Sequence, residues 1–209
     1  MATLWTFGDS FTDSYNPIFE WAGKYIKFKG YKPKVYPDLI AAELGYNLKN
    51  KAVAGSSNQS ILQAICDNVD LIKPGDVIII GWSSPIRFRL VDQYDTWQDL
   101  IPQMLKFNKV SDVNTESIIE ILENRTHIKY CDEVNSWIKL INKSLEQCRV
   151  IHWKYHSENI KVEPLRDFQT IDEETSGEIN DYHYSENGHI VLAKRLIEIL
   201  NSKNKKKLI

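Results

Sequence analysis

The alternation of apolar and polar segments along the chain predicts strands and helices in turn. Four segments are predicted as strands: "TLWTFG" at 3–8, "YNLKNKAVAG" at 46–55, "VIIIGWSS" at 77–84 and "RVIHWKY" at 149–155. The third is apolar over most of its length, which is typical of a central parallel strand covered on both faces. The glycines that close the first two segments mark turns.

Four helices are predicted between and after these strands. Their segments are "YPDLIAAELG" at 36–45, "SNQSILQAICDNVDLI" at 57–72, "CDEVNSWIKLINKSLEQC" at 131–148 and "SENGHIVLAKRLIEIL" at 185–200. In each of the last three, apolar residues recur at helical spacing and form one face. Strands that alternate with helices predict an α/β fold with a parallel sheet and right-handed crossovers.

The remaining segments are less regular. Residues 85–130 hold helical patches, among them "TWQDLIPQMLKF", and no strong strand, so we expect a helical insertion or lid. The polar stretch 156–180 is too long for a simple connection and is a candidate site-forming loop. The basic tail 201–209 is expected to be a solvated, frayed end. The length fits a single domain over 1–209.

Composition and charge exclude several function classes. A net charge of −2 gives no general attraction to nucleic acid or to an anionic membrane, and no nucleotide-binding glycine motif is present. No apolar run approaches the ~18 residues of a membrane span, and no secretory signal is expected. We therefore expect a cytoplasmic or otherwise signal-free protein, a phage- or virus-encoded one included. Three separated cysteines fit reduced thiols, with Cys66 and Cys148 expected on buried helix faces.

The candidate chemistry lies at the ends of the predicted strands. Three of them end in Gly8-Asp9-Ser10, in Gly55-Ser56-Ser57-Asn58 and in Gly81-Trp82-Ser83-Ser84, and "DYHYSENGH" at 181–189 precedes the last helix. Ligands of open α/β sheets bind beyond the carboxyl ends of the strands, so these segments should converge. Taken singly, each has an ordinary explanation as a helix cap, a turn or a packed histidine. Together they supply a serine, backbone amides, an acid and a histidine, which are the groups that catalyse acyl transfer.

The order of these motifs resembles the SGNH/GDSL hydrolase family. The resemblance runs from Trp5 to Leu200, apart from the segment 85–130. It implies a flavodoxin-like three-layer α/β/α sandwich with a mostly parallel sheet. It also implies a serine hydrolase that acts on ester bonds without a cofactor or metal.

The family motifs imply roles for individual residues. Gly8-Asp9-Ser10, with Thr12 in its usual place, matches the first motif and makes Ser10 the nucleophile. Gly55 matches the second motif, so its backbone N–H and that of Ser10 would donate to the oxyanion. His183 matches the general base before the last helix, whereas His189 is a familiar feature of that helix start.

The chain departs from the family pattern at two positions. The third motif usually carries an asparagine where this chain has Ser83, so Ser83 and the nearby Asn58 become candidates for the missing oxyanion donor. The family acid usually stands three residues before the histidine, where this chain has Asn180. The acid here is Asp181, two residues before, and we expect it to orient His183.

The leading hypothesis is a serine esterase that removes a small acyl group, such as O-acetyl, from a polar carrier such as a carbohydrate. Asp9, Trp82 and Arg87 are the expected substrate-binding residues, although Trp82 in the core and a solvated Arg87 are equally compatible with the sequence. The expected partner is thus a small-molecule or glycan ester, and the sequence does not predict an oligomeric state. An alternative is a catalytically impaired SGNH-like binding or structural protein, which the change at Ser83 would explain. A metal-dependent hydrolase using the acid and the two histidines of 181–189 is disfavoured, because the spacing matches no known ligand pattern.

Overall fold

A five-stranded parallel sheet forms the centre of the molecule. The computed structural model describes residues 2–91, 97–100, 127–155 and 159–206. The sheet strands are β1 (Thr3–Phe7), β2 (Asn47–Asn50), β3 (Val77–Trp82), β6 (Arg149–Lys154) and β7 (Glu163–Pro164). They lie in the order β2-β1-β3-β6-β7. In chain order along this sheet that is 2-1-3-4-5, the flavodoxin-like arrangement, and the predicted fold class is confirmed.

Helices cover both faces of this sheet. They are α1 (Glu20–Lys29), α2 (Tyr36–Leu44), α3 (Asn58–Cys66), α4 (His127–Ser144), α5 (Ile171–Glu174) and α6 (Glu186–Lys206), with a short 3-10 helix at Val69–Leu71. Side chains of α2 and α6 pack with Leu4, Val77 and Ile79 on one face. Side chains of α3 and α4 pack with Trp5, Ile78 and Ile80 on the other. The period-two alternation of the central strands β1 and β3 thus divides their apolar residues between two cores, which makes three layers.

Two described strands of the expected insertion form a hairpin. β4 (Phe88–Val91) pairs in antiparallel fashion with β5 (Trp97–Leu100). The expectation that "TWQDL" begins a helical patch is therefore wrong, because cross-strand pairing with β4 decides the backbone conformation there. Residues 92–96 and 101–126 of the expected insertion lie outside the described residues, and residues 127–130 belong to α4.

Other boundaries differ from the predicted ones. β2 ends at Asn50, five residues before Gly55, so that glycine lies in a turn beyond the strand. The helix predicted for 57–72 ends at Cys66, which is exposed rather than buried, and Cys148 is half-buried. α6 continues through Lys206, so the basic tail begins as helix and not as a frayed end. Among the described helices, none is long and apolar enough to cross a membrane.

Candidate active site

Ser10 lies in a tight turn directly after β1. The backbone N–H groups of Thr12 and Asp13 both donate to the carbonyl of Asp9 at 2.9 Å, which closes the turn, and Ser10 is half-buried. The turn needs glycine at Gly8, where a Cβ would lie 2.3 Å from the hydroxyl oxygen of the buried Thr12. Thr12 and the glycine therefore fit together, and the turn presents Ser10 at the carboxyl end of the sheet.

His183 is positioned by a loop that is bonded to the start of α5. The N–H of Ile171 donates to the carbonyl of His183 at 2.9 Å, and the N–H of Ser185 donates to the carbonyl of Gln169 at 3.0 Å. A Cβ on Gly188 would lie 2.3 Å from that same Gln169 carbonyl oxygen, so the close approach requires glycine. The histidine is thus held by backbone contacts on the polar stretch 156–180, as the length of that stretch suggested.

The structure brings Ser10, His183 and Asp181 into one line of hydrogen bonds. His183 Nε2 lies 2.8 Å from Ser10 Oγ, and His183 Nδ1 lies 2.7 Å from Asp181 Oδ1. The same carboxylate oxygen also accepts from the backbone N–H of His183 at 2.8 Å. In neutral His183, Nδ1–H donates to Asp181 and Nε2 accepts from the serine hydroxyl. This is the geometry that activates a serine for nucleophilic attack.

Two aromatic rings that the sequence did not single out contact the imidazole of His183. The indole of Trp21 stacks on it, with ring centroids 4.0 Å apart and planes 6° apart. Phe11 lies 5.2 Å from it at a tilt of 32°. The position of Phe11 directly after Ser10 is a usable signal in the sequence, whereas Trp21 comes from a helix that the apolar pattern does not predict.

The oxyanion donors that the motifs imply are the backbone N–H groups of Ser10 and Gly55. Among the described residues, the structure records no hydrogen-bond acceptor for the N–H of Ser10 or for that of Gly55. Gly55 has φ of +91°, a conformation that side-chain-bearing residues rarely adopt, which explains the glycine in this turn. The role of these two N–H groups as oxyanion donors stays a prediction.

Asn58 is placed differently from our expectation. Its Oδ1 accepts from the backbone N–H of Ser83 at 2.7 Å, and its Nδ2 donates to the carbonyl of Ser83 at 3.1 Å. The residue is fully buried at 0% exposure. The assignment of Asn58 as an oxyanion donor is corrected, because its amide is used to bracket Ser83 and does not face a substrate.

Ser83 and Arg87 are joined by hydrogen bonds and an ion pair to Asp9, which precedes Ser10 in the sequence. The hydroxyl of Ser83 donates to Asp9 Oδ2 at 2.8 Å, and Ser83 is only 1% exposed. Arg87 Nη1 lies 3.4 Å from Asp9 Oδ2 and donates to Ser83 Oγ and to the carbonyl of Ser56, each at 3.2 Å. These contacts correct Ser83 as an oxyanion donor. They also use Asp9 and Arg87 Nη1 in contacts within the protein, which corrects the prediction that both residues bind substrate.

Trp82 is a core residue and not a substrate platform. It is 2% exposed, packs with the α3–α4 side of the sheet, and donates its indole N–H to His152 Nδ1 at 3.2 Å. The reason lies in the strand period, because Trp82 has the same parity in β3 as the buried Ile78 and Ile80. The expected stacking role of Trp82 is therefore wrong.

His189 is buried and lies behind the line of hydrogen bonds. Its Nδ1 accepts from the backbone N–H of Tyr36 at 3.4 Å. Burial, with a smaller contribution from nearby His183, lowers the pKa of His189 to about 3. His189 is therefore neutral at physiological pH, and its ring supports the packing of α6 against α2.

A model of GDSL-like lipase and acylhydrolase proteins matches residues 4–196. The chain belongs to the GDSL-like lipase/acylhydrolase family. The resemblance drawn from the sequence motifs is confirmed, and membership indicates an ester-hydrolysing enzyme.

Several solved structures are similar to this chain. One is described as "The active site of a carbohydrate esterase displays divergent catalytic and non-catalytic binding functions"; it has a TM-score of 0.50 and 15% identity, with 96% of this chain and 68% of that chain covered. A putative G-D-S-L lipolytic protein from Desulfitobacterium hafniense DCB-2 has a TM-score of 0.40 and 13% identity, with 93% of this chain and 97% of that chain covered. A putative GDSL-like lipase from Parabacteroides merdae ATCC 43184 has a TM-score of 0.31 and 11% identity, with 96% of this chain and 74% of that chain covered. A search of curated proteins found no significant match.

Proposed function

We propose that this GDSL-family protein is a serine esterase that removes a small acyl group, such as O-acetyl, from a polar, carbohydrate-like substrate. The observation that carries the proposal is the pair of contacts at His183, 2.8 Å to Ser10 Oγ and 2.7 Å to Asp181 Oδ1. A serine that is only a helix cap has no need of a histidine whose other nitrogen is bonded to a carboxylate. This pair of contacts therefore favours catalysis over the binding-protein alternative.

The reaction runs in two steps. His183 Nε2 takes the hydroxyl proton of Ser10 while the serine oxygen attacks the acyl carbon, and the backbone N–H groups of Ser10 and Gly55 bind the oxyanion. The proton then passes to the leaving alcohol, which leaves an acyl-serine. Water, deprotonated by His183, attacks this ester, and collapse of the second tetrahedral intermediate returns the proton to Ser10.

Asp181 offsets an unfavourable location for the imidazolium. His183 stands three residues before the start of α6, whose positive dipole end disfavours a cation. The carboxylate at Nδ1 stabilises the imidazolium that forms in each step and fixes the tautomer with the lone pair toward Ser10. The helix dipole and the carboxylate thus act on the imidazolium in opposite directions.

The surroundings of Ser10 support a small acyl group and a polar carrier. Asp9, which precedes Ser10 in the sequence, bonds to Ser83 and Arg87, and a polar group of this kind disfavours a long apolar chain. Aromatic side chains beside the base, with Tyr182 70% exposed next to His183, suit the face of a sugar ring. The carbohydrate esterase with a TM-score of 0.50 points in the same direction.

The proposal is tested with purified wild-type protein and the variant Ser10→Ala on p-nitrophenyl acetate, butyrate and octanoate, and on an acetylated oligosaccharide. We expect the highest kcat/KM on acetate, release of acetate from the oligosaccharide, and loss of both activities in the variant. Equal hydrolysis by both proteins would contradict the nucleophile assignment. No hydrolysis by either protein, with retained binding of the oligosaccharide, would favour the binding-protein alternative.

A further inference from the structure

The indole of Trp21 contacts His183 from outside the line of hydrogen bonds that joins Asp181 to Ser10. Trp21 is half-buried in the first turn of α1, and its ring lies nearly parallel to the imidazole at 4.0 Å. Neither the motifs nor the apolar pattern of the sequence pointed to it. A nearly parallel ring pair at this distance is close van der Waals contact over a whole face.

Other aromatic rings hold Trp21 in place. Phe19 stacks on it at 6.4 Å and 15°, and Tyr15 packs edge-on at 5.9 Å. Tyr15 is itself buried and donates its hydroxyl to the carbonyl of Tyr184 at 2.7 Å, next to His183 in sequence. The indole is therefore part of a packed group that includes the histidine loop.

Polar contacts also tie α1 to the segment that carries the histidine. The hydroxyl of Tyr25 accepts from the N–H of Glu186 at 2.8 Å and donates to Glu174. Lys29 forms ion pairs with Glu186 at 3.1 Å and with Glu174 at 3.5 Å. Because α1 is fixed to both ends of this segment, the Trp21 ring keeps its position relative to His183.

The two hydrogen bonds of His183 leave one motion of the ring unrestrained. They hold Nδ1 and Nε2 along the line between Asp181 and Ser10, but the ring can still rock about that line. A flat side chain against the face of the imidazole blocks this motion. The face of an indole also attracts a cation, so it stabilises the ring when His183 carries the second proton.

We propose that Trp21 is a positioning residue for the general base: its indole face holds the imidazole of His183 in line with Ser10 and stabilises the imidazolium formed in each step. The inference rests on the proposed esterase function. It assigns to α1 a part in the reaction that no motif of the family supplied.

The charged and titratable groups around His183 determine how this role can be measured. Asp181 provides a negative charge at Nδ1. His189 is neutral, because burial lowers its pKa to about 3. Burial raises the pKa values of Tyr15, Tyr155 and Tyr184, so these tyrosines are uncharged too. A change in the titration of His183 after substitution of Trp21 therefore reports on the indole itself.

The experiment compares Trp21→Leu with Trp21→Phe, because leucine covers the imidazole without an aromatic face and phenylalanine keeps one. Phe28→Leu is the matched control: Phe28 is 45% exposed in the same helix and stacks on Tyr25. Each variant is assayed on p-nitrophenyl acetate. Its His183 ring is also titrated by NMR, with the signal assigned from the spectrum of His183→Gln among the five histidines.

We expect Trp21→Leu to lower kcat about 2- to 30-fold with little change in KM, and to lower the pKa of His183 by about 0.4 to 1.5 pH units. Trp21→Phe should restore most of both values, and Phe28→Leu should match wild type. A leucine variant with wild-type kcat and wild-type titration would overturn the proposal. A leucine variant that is faster would also overturn it and would make Trp21 a cover over the site. If wild type and Ser10→Ala are equally inactive on esters, the proposed function fails, and the titration still decides the role of the indole.

Discussion

Replacing Asn58 by alanine tests the corrected role of this residue. The side chain brackets the backbone of Ser83 with one accepted and one donated hydrogen bond, at 2.7 and 3.1 Å. Both residues are almost completely buried, at 0% and 1% exposure. Alanine removes the bracket and leaves the N–H and the carbonyl of Ser83 without these partners. We therefore expect a loss of stability and only a small loss of catalysis.

The magnitude follows from these two orphaned groups. A buried polar group that loses its partner costs about 1–3 kcal/mol, so two such groups lower the free energy of unfolding by about 2–6 kcal/mol. Ser83 remains bonded to Asp9 through its hydroxyl at 2.8 Å, so the turn of Ser10 keeps a support. We expect kcat of the folded variant to fall less than about tenfold, whereas removal of an oxyanion donor typically lowers kcat by a factor of about 10²–10³.

The assay is urea unfolding, followed by fluorescence and circular dichroism, together with kcat and KM at a temperature where the variant is folded. Asn135 offers a matched control, since it brackets another backbone segment in the same manner: Nδ2 donates to the carbonyl of Asn159 at 3.0 Å, and Oδ1 accepts from the N–H of Lys161 at 2.7 Å. Asn135→Ala should lose comparable stability with unchanged kcat. An Asn58→Ala protein with wild-type stability and a kcat reduced a hundredfold would refute this reasoning. It would instead support the Asn58 amide as an oxyanion donor.

The remaining predictions concern the two histidines and one glycine. His183→Ala should reduce ester hydrolysis to near background at nearly unchanged melting temperature, whereas His189→Ala should mainly lower the melting temperature; the reverse pattern would mean that the wrong histidine was assigned. The pKa of His189 is lowered from its ordinary value of 6.5 to about 3 in the folded protein. Between these two pH values the unfolded chain therefore binds a proton that the folded chain does not. Stability should therefore fall as the pH drops from about 6.5 toward 3, and His189→Gln should reduce that slope in urea unfolding measured across this range. Gly188→Ala should displace the backbone at Gln169, which would lie 2.3 Å from the new methyl group, and should lower both stability and kcat; a fully active variant of wild-type melting temperature would contradict this.

The central strands and the packed helices could be predicted because their apolar periodicity is strong. β3 and α6 illustrate this, since every strand position and one whole helix face are apolar. α1 was missed because its exposed residues include Phe28, its interior includes Gly23, and only Ala22 and Tyr25 are buried. β7 has two residues, and its pairing with β6 is a tertiary event that leaves no local pattern.

The line of Ser10, His183 and Asp181 could be anticipated from motif order, because all three lie at predicted strand or helix ends. The contacts of the side-chain donors Asn58 and Ser83 could not be anticipated in this way. Asn58 and Ser83 share an edge of the sheet as expected, but whether they face a substrate or each other depends on packing between α3 and the end of β3. For Trp82 the strand period did contain the answer, since the residue has the parity of Ile80.

The position of Ser10 and His183 at opposite ends of the sequence makes the site a late product of folding. These residues are 173 positions apart and touch only when α6 has docked on the sheet. Closing a loop of that length costs about 4–5 kcal/mol of chain entropy, which the packing of α6 must offset. Hydrolytic activity is therefore a reporter of the last long-range contact: in refolding, helical signal should return first and turnover afterwards. A chain that stops folding before α6 docks would have most of its sheet but no hydrolytic activity.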